Sequence, residues 1–176
     1  MTEPLVVGVD VGTQSVKAAL FQLGGACLAE ASAPLPLSRS GADAVEQDPE
    51  DFYRAVTETI AACVAQSGCG PGEVEAVGIA GQMAGVLGIG ADGRAVTPYD
   101  SWLDSRCRPE LAEIAERLGD EIVELTGWPP MVAHAPKILW CRRRRPDVYG
   151  AVAKFVMPSA FVAGRLCGLG AGDAYI

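Results

Sequence analysis

The chain predicts an α/β fold, and three features of its order carry the prediction. Short apolar runs joined by tight turns fill the first stretch: Leu5 to Val9, Val16 to Phe21 and Ala26 to Ala33. Runs joined this closely pair antiparallel, as a meander. A strongly capped helix opens at Asp48, and a second buried run, Val74 to Ala80, follows it. A strand that returns after a crossover helix is most simply parallel to the sheet it joins. Further helices and strands then alternate, which is the order of a sheet extended by parallel strands, with helices on both faces.

Each element has a local reason. Val7, Val9 and Val11 are β-branched, as a sheet interior favours. Asp10 stands where the first strand ends, and Gly12 can take the positive φ of a tight turn. Leu23-Gly24-Gly25 is a turn, and Pro34 to Gln47 reads as a polar loop. Asp48 caps the first helix, Pro49 sits at its first position, and Glu50 and Asp51 fill its first turn. Phe52, Val56, Ile60 and Cys63 then recur at helical spacing until Gly68 and Gly70-Pro71. Gln82 to Ile89 is expected to continue extended, with Ala91-Asp92-Gly93 turning it back toward Ala95 to Thr97. Beyond it come helices over Pro109 to Leu118, Asp120 to Leu125 and Pro136 to Arg145, broken by Gly127-Trp128-Pro129-Pro130. Lys154 to Met157 reads as a strand, and Pro158 to Leu166 as a helix ended by Gly168.

Composition narrows the classes. The 176 residues suit one domain or part of a larger one, and 49% hydrophobic with 20% charged content suits a packed core. A net charge of −8 argues against a nucleic-acid surface. The six cysteines form no C-x-x-C, and His134 has no partner motif, so no zinc site is expected. No apolar run is long enough to span a bilayer, and MTEPLVVGVD lacks a basic leader. A reduced, cytoplasmic protein is the expectation. The closing Ala174-Tyr175-Ile176 carries no turn or cap, so the chain is expected to stop within a domain.

Several constellations could carry chemistry. The turn Asp10 to Ser15 offers successive N–H groups as an anion concavity. Asp10 beside it could hold Mg²⁺, which prefers oxygen ligands and keeps several waters, and Lys17 adds positive charge. An ordinary hairpin explains the same residues. It is not a P-loop, since no Gly-Lys-Ser/Thr is present, and no G-x-G-x-x-G opens a helix. Gly81-Gln82-Met83-Ala84-Gly85 follows a strand. Gln82 suits a polyol hydroxyl, or the segment is a bulge with Met83 as filler. In Trp102-Leu103-Asp104-Ser105-Arg106, the Trp can pack on a sugar face and the Asp and Arg can take hydroxyls. A salt bridge with a packed Trp at a helix N-terminus, capped by Asp104 or Ser105, fits equally. Arg142 to Arg145 reads as a solvated helix C-terminus.

Taken in order, these stretches resemble the N-terminal domain of the FGGY carbohydrate kinases, within the class sharing an actin-like, ribonuclease-H-like ATPase fold. VVGVDVGTQSVKAALF is similar to that family's first phosphate hairpin, and VEQDPEDFY to the segment opening its first helix. VGIAGQMAG, SWLDSRC and TGWPPMVAHAPKILW resemble its sugar-contacting strand end, its W-x-D-x-R element and its T-G-x-P…P-K-x-x-W stretch. GQM with its flanks looks most like xylulokinase-type members. The resemblance implies ATP and Mg²⁺, with Asp10 at the metal. Gly12, Thr13, Gln14, Ser15 and Lys17 would lie at the phosphates, and Gln82, Met83, Ala84, Trp102 and Asp104 toward the sugar. Xylulokinases usually carry His where this chain has Ala84, which argues against xylulose. The catalytic Asp base, the adenosine site and a second phosphate motif belong to the family's C-terminal half. None is expected within 1–176, so this chain alone is expected to be inactive. Its exposed apolar face would favour a homodimer. Two rivals are another phosphotransferase of the same fold and a binding module that lost catalysis.

Overall fold

The computed structural model describes residues 3–173; the reading of Ala174 to Ile176 as an unfinished end lies outside them. In chain order the first strands are β1 (Leu5–Val11), β2 (Ser15–Gln22) and β3 (Cys27–Pro34), then the hairpin β4 (Ser38–Ser40) and β5 (Ala44–Gln47). Helix α1 (Pro49–Ser67) leads to β6 (Val74–Gly81), then β7 (Leu87–Ile89) and β8 (Tyr99–Asp100). The rest comprises α2 (Arg108–Thr126), α3 (His134–Arg144), α4 (Pro146–Ala151), β9 (Lys154–Val156) and α5 (Pro158–Cys167).

The main sheet has the order β3-β2-β1-β6. β1 pairs antiparallel with β2 and parallel with β6, as the crossover helix requires. Along β1, Leu5, Val7, Val9 and Val11 are buried while Gly8 and Asp10 are exposed, the period-2 pattern of a sheet with one covered face. α1 is that cover. Asp48 Oδ1 accepts from Glu50 N at 2.9 Å, Pro49 stands in the first turn, and Gly68 closes the helix at φ 74°. Phe52, Val56 and Cys63 project into the core, and Phe52 meets Tyr99 edge-on at 5.6 Å between ring centroids. α5 lies on the same face: Ala160, Ala163 and Gly164 share a groove with Ile60, Val77 and Ile79.

The α/β layering therefore differs from expectation in one respect. Helices were expected on both faces, yet among the described residues the face bearing Gly8, Asp10, Lys17 and Phe21 carries none. The outer edge of β6 has no strand partner among them either.

Other differences are local. Part of Pro34 to Gln47, expected as loop, forms the β4–β5 hairpin, which pairs with β8. Gln82 to Ile89 does not stay extended: β6 stops at Gly81, and β7 pairs with β9 in a separate sheet. The return toward Ala95 is a single bridge, Ile89 to Ala95. The two helices expected over 109–125 are one, α2, which runs through Gly119. A Cβ there would meet nothing within 4 Å, so Gly119 stops the helix neither by packing nor by turning. Neither Asp104 nor Ser105 caps it; Cys107 holds that position without a side-chain bond. Pro146 ends α3 as expected but also opens α4. Arg142, Arg143 and Arg144 are the exposed last turn of α3, with Arg143 paired to Glu113 at 2.6 Å. No described helix is long and apolar enough to cross a membrane.

Candidate functional site

Parallel pairing sets the site. Val11 is opposite Gly81, so β1 and β6 end side by side, and the turn after one meets the loop after the other. Clefts at the carboxyl ends of parallel strands are where α/β sheets place ligands. Gln82 N donates to Val11 O at 2.9 Å, which ties loop to strand. A Cβ on Gly81 would stand 3.0 Å from Val11 Cβ and O, so this approach suits glycine.

The turn 12–14 is closed by Gly12 N donating to Ser15 O at 3.1 Å. Gly12 is not in the left-handed region, contrary to expectation; a Cβ there would lie 2.9 Å from Ser15 O, so close approach is what its position requires. The Thr13 and Gln14 amides donate to no group among the described residues, which leaves a small N–H concavity. Asp10 and Lys17 are cross-strand neighbours on the open face, and both line a hollow of about 710 Å³ with Gly8, Glu30 and Ser32. Among the described residues the Asp10 carboxylate forms no ion pair or side-chain hydrogen bond. No cluster of three or more metal-ligating side chains occurs among them. One free carboxylate beside open amides fits Mg²⁺ carried with phosphates and waters, and not a metal caged by protein.

Thr13 is the centre of the polar network. Its hydroxyl donates to Gln82 Oε1 at 3.3 Å and accepts from Trp102 Nε1 at 3.0 Å. Gln82 Nε2 donates to Gly12 O at 3.3 Å. The structure therefore brings Gly12, Thr13, Gln82 and Trp102 together. Trp102 is 47% exposed, with its indole N–H fixed and ring surface left open. Met83 is 70% exposed beyond Gln82. Ala84 adopts φ 65°, the one left-handed non-glycine conformation among the described residues. Its neighbour Gly85 packs so closely that a Cβ would overlap the Tyr99 hydroxyl and the Asp100 carbonyl oxygen. Gln14 is exposed; its carbonyl accepts from Leu35 N at 2.8 Å, and neither Gln14 nor Ser15 joins the side-chain network.

Asp104 departs from the expected role on the sugar. It is 1% exposed; Oδ2 accepts from Val45 N and Arg106 Nε, both at 2.8 Å, and Oδ1 from Arg106 N at 3.1 Å. A carboxylate so enclosed braces the segment behind Trp102 and does not line the cleft. Arg106 also pairs with Glu46 at 2.6 Å and Asp100 at 2.7 Å and stacks on Trp140. Lys137, 1% exposed, donates to the carbonyls of Ser101 at 2.8 Å and Asp104 at 2.7 Å. Burial lowers the pKa of Lys137. Burial also pushes Asp100 up to about 6, against the opposing pull of Arg106.

Reading the sequence missed Gln47, which is 2% exposed. Its Nε2 donates to Thr13 O at 3.0 Å and Pro36 O at 3.1 Å, and its Oε1 accepts from Gln82 Nε2 at 2.9 Å. The available signal was an amide immediately before the Asp48 cap, a position that faces the sheet end.

A turn with open amides, joined at the end of a β3-β2-β1-β6 sheet to a Gln and a Trp, belongs to the actin-like, ribonuclease-H-like fold class. Within that class the chain belongs to the FGGY family of carbohydrate kinases: the profile of the family's N-terminal domain matches residues 5–174. It is similar to the xylulose kinase of Bacillus subtilis (strain 168), 29% identical over 93% of this chain and 33% of the relative. The xylulose kinase of Escherichia coli (strain K12) is 32% identical over 96% of this chain and 34% of its own length. Among solved structures, a xyloylose kinase from Brucella ovis superposes with a TM-score of 0.83 at 28% identity, over 91% of this chain and 34% of that one. The chain thus spans about a third of the length of the curated relatives it matches.

Proposed function

We propose that this chain is the N-terminal part of an ATP-dependent sugar kinase. The whole enzyme transfers the γ-phosphoryl group of ATP to a hydroxyl of a pentulose-like sugar or polyol. The observation that carries the reading is the pair of bonds at Thr13: one residue of the phosphate turn holds both Gln82 and Trp102 of the sugar wall. Phosphoryl transfer is mostly positioning and charge stabilisation, so a site that fixes nucleotide and acceptor on one rigid frame serves it directly.

In this reading the open amides of Thr13 and Gln14 receive phosphate oxygens, with Lys17 adding positive charge nearby. Asp10 would hold Mg²⁺, which neutralises charge on the phosphates. Trp102 packs on the apolar face of the sugar, and Gln82 takes a hydroxyl. Met83 and Ala84 border the same wall, with Ala84 leaving room for a differently placed substituent. Asp104 acts from behind, by fixing the turn that carries Trp102.

The base is assigned to a second domain, and 1–176 alone is inactive. Asp10 is committed to the metal, and a cation beside a carboxylate makes it a poor base. Asp104 is enclosed, as described. The exposed apolar surface at Val77 and Leu166 supports self-association or cover by further chain there. Binding of Mg²⁺-ATP and of a panel of ketoses, aldoses and polyols to 1–176 by calorimetry, with a coupled ADP-release assay, tests the reading. Binding of Mg²⁺-ATP lost in Asp10→Ala, without sugar-dependent ADP release, is expected. Sugar-dependent ADP release above the Asp10→Ala control would place a base in this chain and reject it. Tight sugar binding with no nucleotide binding would favour a non-catalytic module.

A further inference from the structure

We infer that Gln47 is a positioning residue that, together with the Gly12 carbonyl, sets the hydrogen-bond polarity of the site from Gln82 to Trp102, without touching either ligand. The inference deepens the proposed function and rests on it for its consequence.

The argument is one of donors and acceptors. The carbonyls of Thr13 and Pro36 can only accept, and both meet Gln47 Nε2. They force the amide of Gln47 to turn its NH₂ toward them, which leaves Oε1 facing Gln82. Gln82 must then present its own NH₂ to Gln47 and to Gly12 O. Its Oε1 is left facing Thr13, whose hydroxyl must donate to it. With its proton committed, the Thr13 oxygen accepts from the indole N–H of Trp102. The first step is fixed by two backbone carbonyls, and a third, Gly12 O, holds Gln82 in the same sense as Gln47 does.

Gln47 is well placed to impose this. It ends β5, where its backbone pairs with Tyr99, and it precedes the capped start of α1. The ligand-facing consequence is that both amide hydrogens of Gln82 are used internally. Gln82 therefore meets a sugar as an acceptor only, through the remaining lone pair of Oε1, and selects for a hydroxyl that donates to it.

The test is nuclear magnetic resonance on ¹⁵N-labelled 1–176, reading the tryptophan indole N–H signals, with Trp102 assigned by Trp102→Phe. Gln47→Met removes the amide at similar volume. Gln47→Leu, which also lacks both the donors and the acceptor, serves if the Met variant folds poorly. Either variant is expected to shift the Trp102 indole signal and speed its solvent exchange about tenfold, the loss of one modest hydrogen bond. The Trp140 signal, on the far side of Arg106, stays in place. An unchanged Trp102 signal in both variants would overturn the inference, as would equal acceleration at all indoles, which is general loosening. Titration with a panel of ketoses, aldoses and polyols then separates the two claims. If wild-type Trp102 never responds to sugar, the proposed function fails, while the ligand-free exchange comparison still decides the role of Gln47.

Discussion

Trp102 Nε1 and Thr13 Oγ1 lie 3.0 Å apart across 89 residues of chain. Neither residue could hold the other by local structure, since Thr13 belongs to the β1–β2 turn and Trp102 to the segment after β8. Thr13→Val keeps the shape and removes the hydroxyl. It should cost about 1 kcal/mol of stability, the net worth of a typical hydrogen bond. It should also free the indole, read as a change in Trp102 fluorescence that is absent from the same substitution in a Trp102→Phe background.

Lys137 supports that pairing from behind. Its ammonium is buried and bonded to the carbonyls of Ser101 and Asp104, the residues that flank the Trp102 turn. Lys137→Met should lower unfolding free energy by about 3 kcal/mol, because it strips a charge from a buried network. Urea titration would show it, and a loss below about 1 kcal/mol would mean that the ammonium does not brace the turn.

Asp100 gives a pH signature. Its pKa is raised to about 6, and burial is the leading cause. A raised carboxyl pKa means that the native state holds its proton where the unfolded chain has released it. Stability from this group is therefore highest below about pH 4, falls as pH rises toward 6, and is level above that. Asp100→Asn should remove this slope. Urea midpoints at several pH values between 4 and 7, wild type against variant, check it; a wild-type curve rising through that window relative to the variant would contradict the sign.

Gly85 is the tightest backbone approach beside the wall. Gly85→Ala should cost about 2 kcal/mol by overpacking against Tyr99 and the Asp100 carbonyl. Gly119→Ala, inside α2 with open space around it, should instead stabilise by up to about 1 kcal/mol. Thermal denaturation of the pair separates steric from propensity effects. Equal shifts in the same direction would refute both arguments.

The sequence by itself determined the order and pairing of the first elements, though not that one face of their sheet carries no helix among the described residues. Alternating valines, a Pro-opened helix with an Asp cap, and the run after it dictated the β1–β2–β3 meander, α1 and parallel β6, because these rest on periodicity and capping within a few residues. It also marked Asp10, Thr13, Gln82 and Trp102 by type and setting. Tertiary structure decided how those residues meet. Gly81 beside Val11 brings the loop to the turn, and only this juxtaposition makes Thr13 shared. It also moved Asp104 from the wall to the interior, where Val45 N and Arg106, distant and near in sequence, fill its oxygens. Gln47 stayed hidden for the same reason: an amide's role is set by the partners that reach it, and two of its partners come from segments folded back across the sheet end. The break at Gly81 was invisible too, because whether an apolar run continues as strand depends on the neighbour it pairs with, and β7 finds β9 instead of the main sheet.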